Sequence, residues 1–222
     1  MPSMEQSPLA LEILGRLGQY EAAAHIEIGG GICLWYYAPY RQTNDVDAWW
    51  SEPQPESQTA IDLVLQKVAI DHGLELSHRE QASYQSWDLK RQRKTVFAFQ
   101  IARKIRRVEP AVASPWGHLR LESLGENVAN KMTALAQRGA PRDMLDIAEV
   151  LTRGLLDEQS CWRLWQDKNP DKSREEARSN ILKYLSALEA RRPLIQIDDV
   201  GARKNAEATR CLIRSFAGAC GA

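Results

Sequence analysis

The chain has 222 residues, of which 44% are hydrophobic and 26% charged, a balance that supports a buried core and excludes disordered and collagen-like classes. Lys plus Arg and Asp plus Glu number 29 each, so no net charge draws the protein toward nucleic acid or membrane, and any such contact has to come from a local patch. No run reaches the ~20 apolar residues of a membrane span, and the polar start Met1 to Ser7 lacks the basic-then-apolar order of a signal peptide, so no membrane partner and a cytoplasmic location are expected. Cys33, Cys161, Cys211 and Cys220 have no paired spacing, which argues against a zinc site or a disulfide framework and for reduced structural thiols.

In chain order, Ser7 to Tyr20 carries Leu9, Leu11, Ile13, Leu14 and Leu17 near helical spacing, with Ser7 as N-cap and Pro8 suited to the first helical position. His25 to Ile28 then predicts a strand, Gly29-Gly30-Gly31 a turn, and Ile32 to Tyr37 a short helix. After the loop Ala38 to Asn44, Asp45 to Trp50 predicts a second strand, ended by Ser-Glu-Pro-Gln-Pro. Ile61, Leu63, Val64, Leu65, Val68 and Ala69 predict a helix stopped at Gly73. Lys94 to Ile101 alternates as a half-buried strand, and Leu119 and Leu121 suggest another. From Glu122 the chain becomes helical, with breaks at Gly139-Ala140-Pro141, Asn169-Pro170 and Arg192-Pro193. A boundary near Ser114 to Gly117 divides an α/β domain, 1–116, from a helical one, 117–222, whose core draws on Trp162, Leu164, Trp165, Leu182, Tyr184, Leu185 and Leu188. The Gly-Ala-Cys-Gly-Ala tail is expected to fray.

Residues two apart on a strand project from one face, so Asp45 and Asp47 present two carboxylates together while Val46 points to the core. Such a pair repels unless a hard divalent cation, Mg²⁺ or Mn²⁺, sits between it and substrate phosphate oxygens. A lone Asp-x-Asp is common on solvated strand edges. The upstream glycines strengthen the metal reading, because a glycine turn that opens a helix points backbone N–H groups outward at phosphate.

Ile28-Gly29-Gly30-Gly31 followed by Arg41-Gln42-Thr43-Asn44-Asp45-Val46-Asp47 resembles the signature of the AbiEii-type nucleotidyltransferases, toxins of bacterial toxin–antitoxin and phage-defence systems. The block Glu122 to Leu135 and Arg138 to Asp146 is similar to the family's helical segment. The resemblance implies an α+β fold, a polymerase β-type nucleotidyltransferase domain with a mixed sheet followed by a C-terminal helical domain. It implies transfer of a nucleoside monophosphate from an NTP to an acceptor hydroxyl on RNA, such as a tRNA end, or on a partner protein, and a cognate antitoxin as partner.

By the same resemblance Asp45 and Asp47 are metal ligands, Gly29, Gly30 and Gly31 the triphosphate-binding turn, and Arg41 and Thr43 its supports. Lys131 is then a phosphate ligand; Lys131, Leu135 and Arg138 share one helix face, so two cations meet a triphosphate together. Pro141 starts the next helix, with Arg142 and Asp143 in its first turn; the family's acid is Asp143 or Asp146, the latter preferred. On this reading Lys131→Ala abolishes transfer and leaves the fold intact. One departure stands out: the later strand carries Gln100 where such enzymes hold a third carboxylate, and a carboxamide is neither base nor charged ligand. The third acid is dispensable, or Asp88 or Glu109 supplies it, or the protein is a catalytically impaired binding module; a small-molecule nucleotidyltransferase is a third reading.

Lys90-Arg91-Arg93-Lys94 and Arg103-Lys104-Arg106-Arg107 flank the Gln100 strand and, with Trp87, suit an RNA backbone through charge and stacking; solvated strand ends are the plainer alternative. His25, His72, His78 and His118 show no ligand spacing.

Overall fold

The computed structural model describes residues 6–103 and 106–218; Lys104, Cys220 and the tail beyond Gly218 lie outside them. The chain forms two compact units, Met1–Asn127 and Val128–Ala222.

The first unit opens with α1 (Pro8–Leu17), which buries Ala10, Ile13, Leu14 and Leu17 on one face. Ser7 stands at its N-cap, but its side chain makes no capping bond; its N–H is received by Gln6 Oε1 at 2.8 Å. A 3₁₀ turn, Glu21–His25, leads into β1 (Ile26–Ile28), so the first strand starts one residue later than the sequence suggests. Then come α2 (Gly30–Tyr37), β2 (Asp45–Trp50) and α3 (Pro55–His72). Helix α3 buries Ser57, Ala60, Ile61, Val64, Leu65, Val68 and Ala69, and ends at Gly73 in the left-handed region (φ 60°). The hairpin β3 (Glu75–Gln81) and β4 (Tyr84–Arg91) carries no clear sequence signal, because β3 is an exposed, charged edge strand without an apolar alternation. β5 (Lys94–Arg103), β6 (Val112–Ala113) and β7 (Arg120–Leu121) complete a seven-stranded mixed sheet in the order β3-β4-β5-β2-β1-β7-β6.

Register assigns the two faces of this sheet. β2 runs parallel to β5, with Val46 opposite Phe99 and Ala48 opposite Ile101, and β4 places Trp87 opposite Phe99. These residues join Ile26, Ile28, Leu89 and Phe97 in one core with α1 and α3; burial of each large side chain stabilises by about 1.5–3 kcal/mol. Trp87 is therefore a core residue, fully buried with its Nε1–H donating to Asp62 Oδ1 at 2.8 Å, and the stacking role suggested for it does not hold. The opposite face carries Asp45, Asp47 and Trp49 on β2, Ala98 and Gln100 on β5, and Ser86 and Asp88 on β4.

Helix α4 (Leu124–Arg138) runs from the end of the first unit into the second. The second unit continues with α5 (Pro141–Thr152), α6 (Glu158–Lys168), α7 (Arg174–Arg191), a 3₁₀ turn Leu194–Gln196 and α8 (Val200–Gly218). The three breaks fall at Gly139, Asn169-Pro170 and Arg192-Pro193, as the sequence indicates. Its core centres on Trp162, stacked on Phe216 at 5.1 Å and edge-on to Trp165 at 5.8 Å. Leu164 and Leu185 are buried, whereas Leu182, Tyr184 and Leu188 are half-buried. Helix α8 packs on α5 and α7. No helix among the described residues is long and apolar enough to cross a membrane.

Candidate active site

The end of β1, the start of α2 and the start of β2 meet at the same end of the sheet. Gly29 N–H donates to the Asp47 carbonyl at 2.8 Å, which holds the glycine turn against the acidic strand. Gly30 takes φ 62°, and a Cβ there would lie 2.7 Å from Asp47 Cβ. Only glycine fits, on grounds of both backbone conformation and space. At Gly31 a Cβ would stand 3.0 Å from Arg41 Nη2 and 3.4 Å from Thr43 Oγ1, so the residues that follow the helix fold back onto the turn. Thr43 is buried; its N–H donates to Gln6 Oε1 at 2.9 Å, and its hydroxyl donates to Asp45 Oδ1 in a very short contact. Gln6 carries no local sequence signal, since it acts on a residue 37 positions away.

Asp45 and Asp47 are half-buried, with Val46 and Ala48 buried between and beyond them, the alternation expected of a strand with one apolar face. Asp47 is opposite Gln100 and Asp45 opposite Ala98, so the third position beside the pair is occupied by a carboxamide. Asp88 lies opposite Ala98 on β4, one strand further out, roughly 10 Å from β2 at ~4.8 Å per strand; it is also held by Arg79 at 2.8 Å. Glu109 accepts from Ser123 Oγ. Among the described residues, no group of three or more His, Cys, Asp or Glu side chains could hold a metal ion, so neither Asp88 nor Glu109 completes a three-acid set.

Two buried residues support the turn. Glu122 lies just after β7; its N–H donates to the Ile28 carbonyl at 2.9 Å, and its own carbonyl accepts from Tyr37 Oη at 2.9 Å. A Cβ at Gly29 would come within 2.7 Å of Glu122 Oε2. Asn127, fully buried, donates from Nδ2 both to Glu122 Oε2 at 2.7 Å and to the Gly30 carbonyl at 3.2 Å. Burial, with the Cys33 thiol beside it, raises the Tyr37 phenol above its ordinary value, so it stays a neutral donor to Glu122. Glu27, opposite Trp49 on the polar face, is fully buried and paired with Arg107. Glu122 and Asn127 lie in the Glu122 to Leu135 block, but their roles at the turn, like that of Glu27, come from tertiary approach.

In the second unit, Lys131 Nζ pairs with Asp146 Oδ2 at 2.6 Å; the Lys side chain is 11% exposed and the Asp fully buried. Arg138 forks onto Asp143, Nε to Oδ2 at 2.8 Å and Nη2 to Oδ1 at 3.1 Å, with the guanidinium exposed and the carboxylate buried. Both acids thus face the cations of α4, and Arg142 is exposed. Removal of Lys131 would take the ammonium from a buried carboxylate, so Lys131→Ala is expected to cost stability as well as transfer.

The sequence model of a family described as "Nucleotidyl transferase AbiEii toxin, Type IV TA system" matches residues 12–210. Among solved structures, the chain is similar to an inferred nucleotidyltransferase from H. pylori, with a TM-score of 0.56 over 95% of this chain and 92% of that one at 16% identity, a likeness that speaks for the fold. No curated protein matches.

Proposed function

Because the chain belongs to the AbiEii nucleotidyltransferase toxin family, we propose that it transfers a nucleoside monophosphate from an NTP to an acceptor hydroxyl, releases pyrophosphate, and is restrained by a cognate antitoxin. The observation that supports this most is the closure of the glycine turn onto Asp47, with the Gly30 position against Asp47 Cβ. That contact makes a phosphate-binding turn and an acidic pair one continuous site. Two carboxylates on one strand face, with the Gln100 amide alongside, are an oxygen donor set of the kind that suits Mg²⁺ or Mn²⁺. Such a cation, when held by Asp45 and Asp47, neutralises charge on the phosphates during transfer.

The remaining roles belong to the chain itself. Backbone N–H groups at the start of α2 receive a phosphate, aided by the helix terminus. Arg41 and Thr43 hold the turn and Asp45 in place. Within the second unit, Asp146 and Asp143 orient Lys131 and Arg138 by fixed ion pairs, so the two acids act as positioning groups rather than as substrate ligands. Gln100 takes no proton. For that reason a nucleotide-binding module without turnover is the second reading, favoured by the lack of a third acid among the described residues near Asp45 and Asp47.

The two readings separate in one assay. Purified protein is incubated with Mg²⁺, each labelled nucleoside triphosphate and total bacterial RNA or cell protein, beside an Asp45→Ala/Asp47→Ala variant. Label transferred by the parent alone supports the enzyme and identifies the acceptor. Nucleotide binding with no label on RNA or protein would replace it with the binding module.

A further inference from the structure

Of the basic residues that flank β5 in the sequence, Lys90 to Lys94 and Arg103 are placed at opposite ends of the sheet. β2 and β5 run parallel with Asp45 opposite Ala98, so Lys94, the first residue of β5, lies four positions beyond the Asp45 level. At ~3.3 Å per residue this is about 13 Å. The β4–β5 hairpin closes there, with Lys90 opposite Thr95 and Arg91 opposite Lys94. The Asp45 end of β2 is also the end at which β1 delivers Gly29. Arg103, by contrast, pairs with Trp50 at the far end of β2, and Arg107 is engaged by the buried Glu27.

At the near end, Lys90, Arg91, Arg93 and Lys94 form no ion pair among the described residues, and Lys90 makes none with its cross-strand neighbour Glu75. Three of the four are exposed and Lys90 is half-exposed. The two-residue loop between the strands is Gln92-Arg93, both at positive φ (51° and 64°). That conformation favours Asn-Gly, yet the chain places a cation in it. A tip with four unpaired cations and no exposed apolar side chain suits a polyanion and does not suit a membrane core or an apolar groove.

We propose that the Lys90–Lys94 hairpin is the docking site for the acceptor's sugar-phosphate backbone, an RNA strand whose terminal hydroxyl reaches the Asp45/Asp47 end of the sheet. The proposal rests on the transferase reading and adds the acceptor subsite to it. At ~3.4 Å of rise per nucleotide in a stacked strand, the 13 Å offset corresponds to about four nucleotides between the hairpin and the reacting end. The phosphate contacts give affinity and register without sequence readout.

The test compares the parent with Lys90→Gln/Arg91→Gln/Arg93→Gln/Lys94→Gln and with a charge-matched control, Arg103→Gln/Lys172→Gln/Lys183→Gln/Lys204→Gln. Binding of a fluorescein-labelled single-stranded oligouridylate is measured by anisotropy across a salt series. The hairpin variant is expected to bind at least tenfold more weakly, and its log–log salt slope to be shallower by about 3, which is 0.7 for each of four phosphate contacts. The control is expected to bind as the parent does. Equal loss in the hairpin variant and the control would attribute binding to overall charge and overturn the proposal. Unchanged RNA binding in the hairpin variant, with loss of label only on a protein acceptor, would also overturn it. Hairpin-dependent RNA binding without nucleotide transfer by the parent would leave the docking site standing and refute the transferase reading instead.

Discussion

Gly30→Ala and Gly73→Ala form a matched pair, because both glycines hold a left-handed backbone, φ 62° and φ 60°, in different surroundings. Alanine in this region costs about 1–2 kcal/mol, so each variant should lose a few degrees of melting temperature at roughly 2–4 °C per kcal/mol for a chain of this size. At Gly73 nothing lies within 4 Å of the added methyl group, and the loss ends there. At Gly30 the new Cβ would stand 2.7 Å from Asp47 Cβ, against about 3.5–4.0 Å for an ordinary carbon contact. The shortfall is roughly 1 Å. Rotation of the Asp47 side chain cannot relieve it, since the contact is to Cβ, so β2 or the glycine turn has to move. A displacement of that size costs on the order of 10²-fold in rate where geometry governs phosphoryl transfer. Pyrophosphate release in the presence of Mg²⁺ and NTP, with melting curves on the same samples, reads both effects. Gly73→Ala is expected to keep parental turnover and Gly30→Ala to lose about a hundredfold. If Gly30→Ala turned over within twofold of Gly73→Ala, the close approach of turn and acid would have no catalytic meaning.

Lys131→Met should cost about 3–5 kcal/mol by taking the ammonium away from the buried Asp146 carboxylate; Lys131→Met/Asp146→Leu should recover most of that stability without recovering transfer, as denaturant melts and turnover together would show. Gln100→Glu puts a third carboxylate opposite Asp47, so Mg²⁺ should raise its melting temperature more than the parent's, and an equal rise would count against a shared ligand face. Asp157 caps α6, its Oδ1 receiving the Ser160 N–H at 2.7 Å, and that backbone bond holds its carboxyl below the ordinary value. A carboxyl lowered in the folded state stabilises above the unfolded value near pH 4 and loses that effect as pH falls through the lowered value. The melting-temperature gap between parent and Asp157→Ala should therefore be widest above about pH 5 and narrow in acid; a gap independent of pH would assign the effect to helix propensity.

Local chemistry made much of the fold legible. The apolar spacing of α1 and α3, the glycine at position 73, the alternation around Asp45 to Trp50 and the three helical breaks are each properties of a few neighbouring residues, and each reappears in the structure. The β3–β4 hairpin escaped because an edge strand with one solvated face has little apolar alternation to display. Trp87 looks exposed for a related reason: it stands shortly before the basic run Lys90 to Lys94, and only the pairing with Phe99 turns it into the core.

The sequence by itself determined which acids share a strand face and which glycines form the turn, because residues two apart on a strand must project together and only glycine tolerates so crowded a left-handed position. Tertiary structure alone decided that the Gly30 position closes on Asp47, that Gln100 is its cross-strand neighbour, and that Gln6, Glu122 and Asn127 brace the site from distant parts of the chain. It also decided that the Lys90–Lys94 cluster lies at the acidic end of the sheet. Strand order and register settle such matters, and these arise from pairing across the whole unit, which no local run of residues encodes.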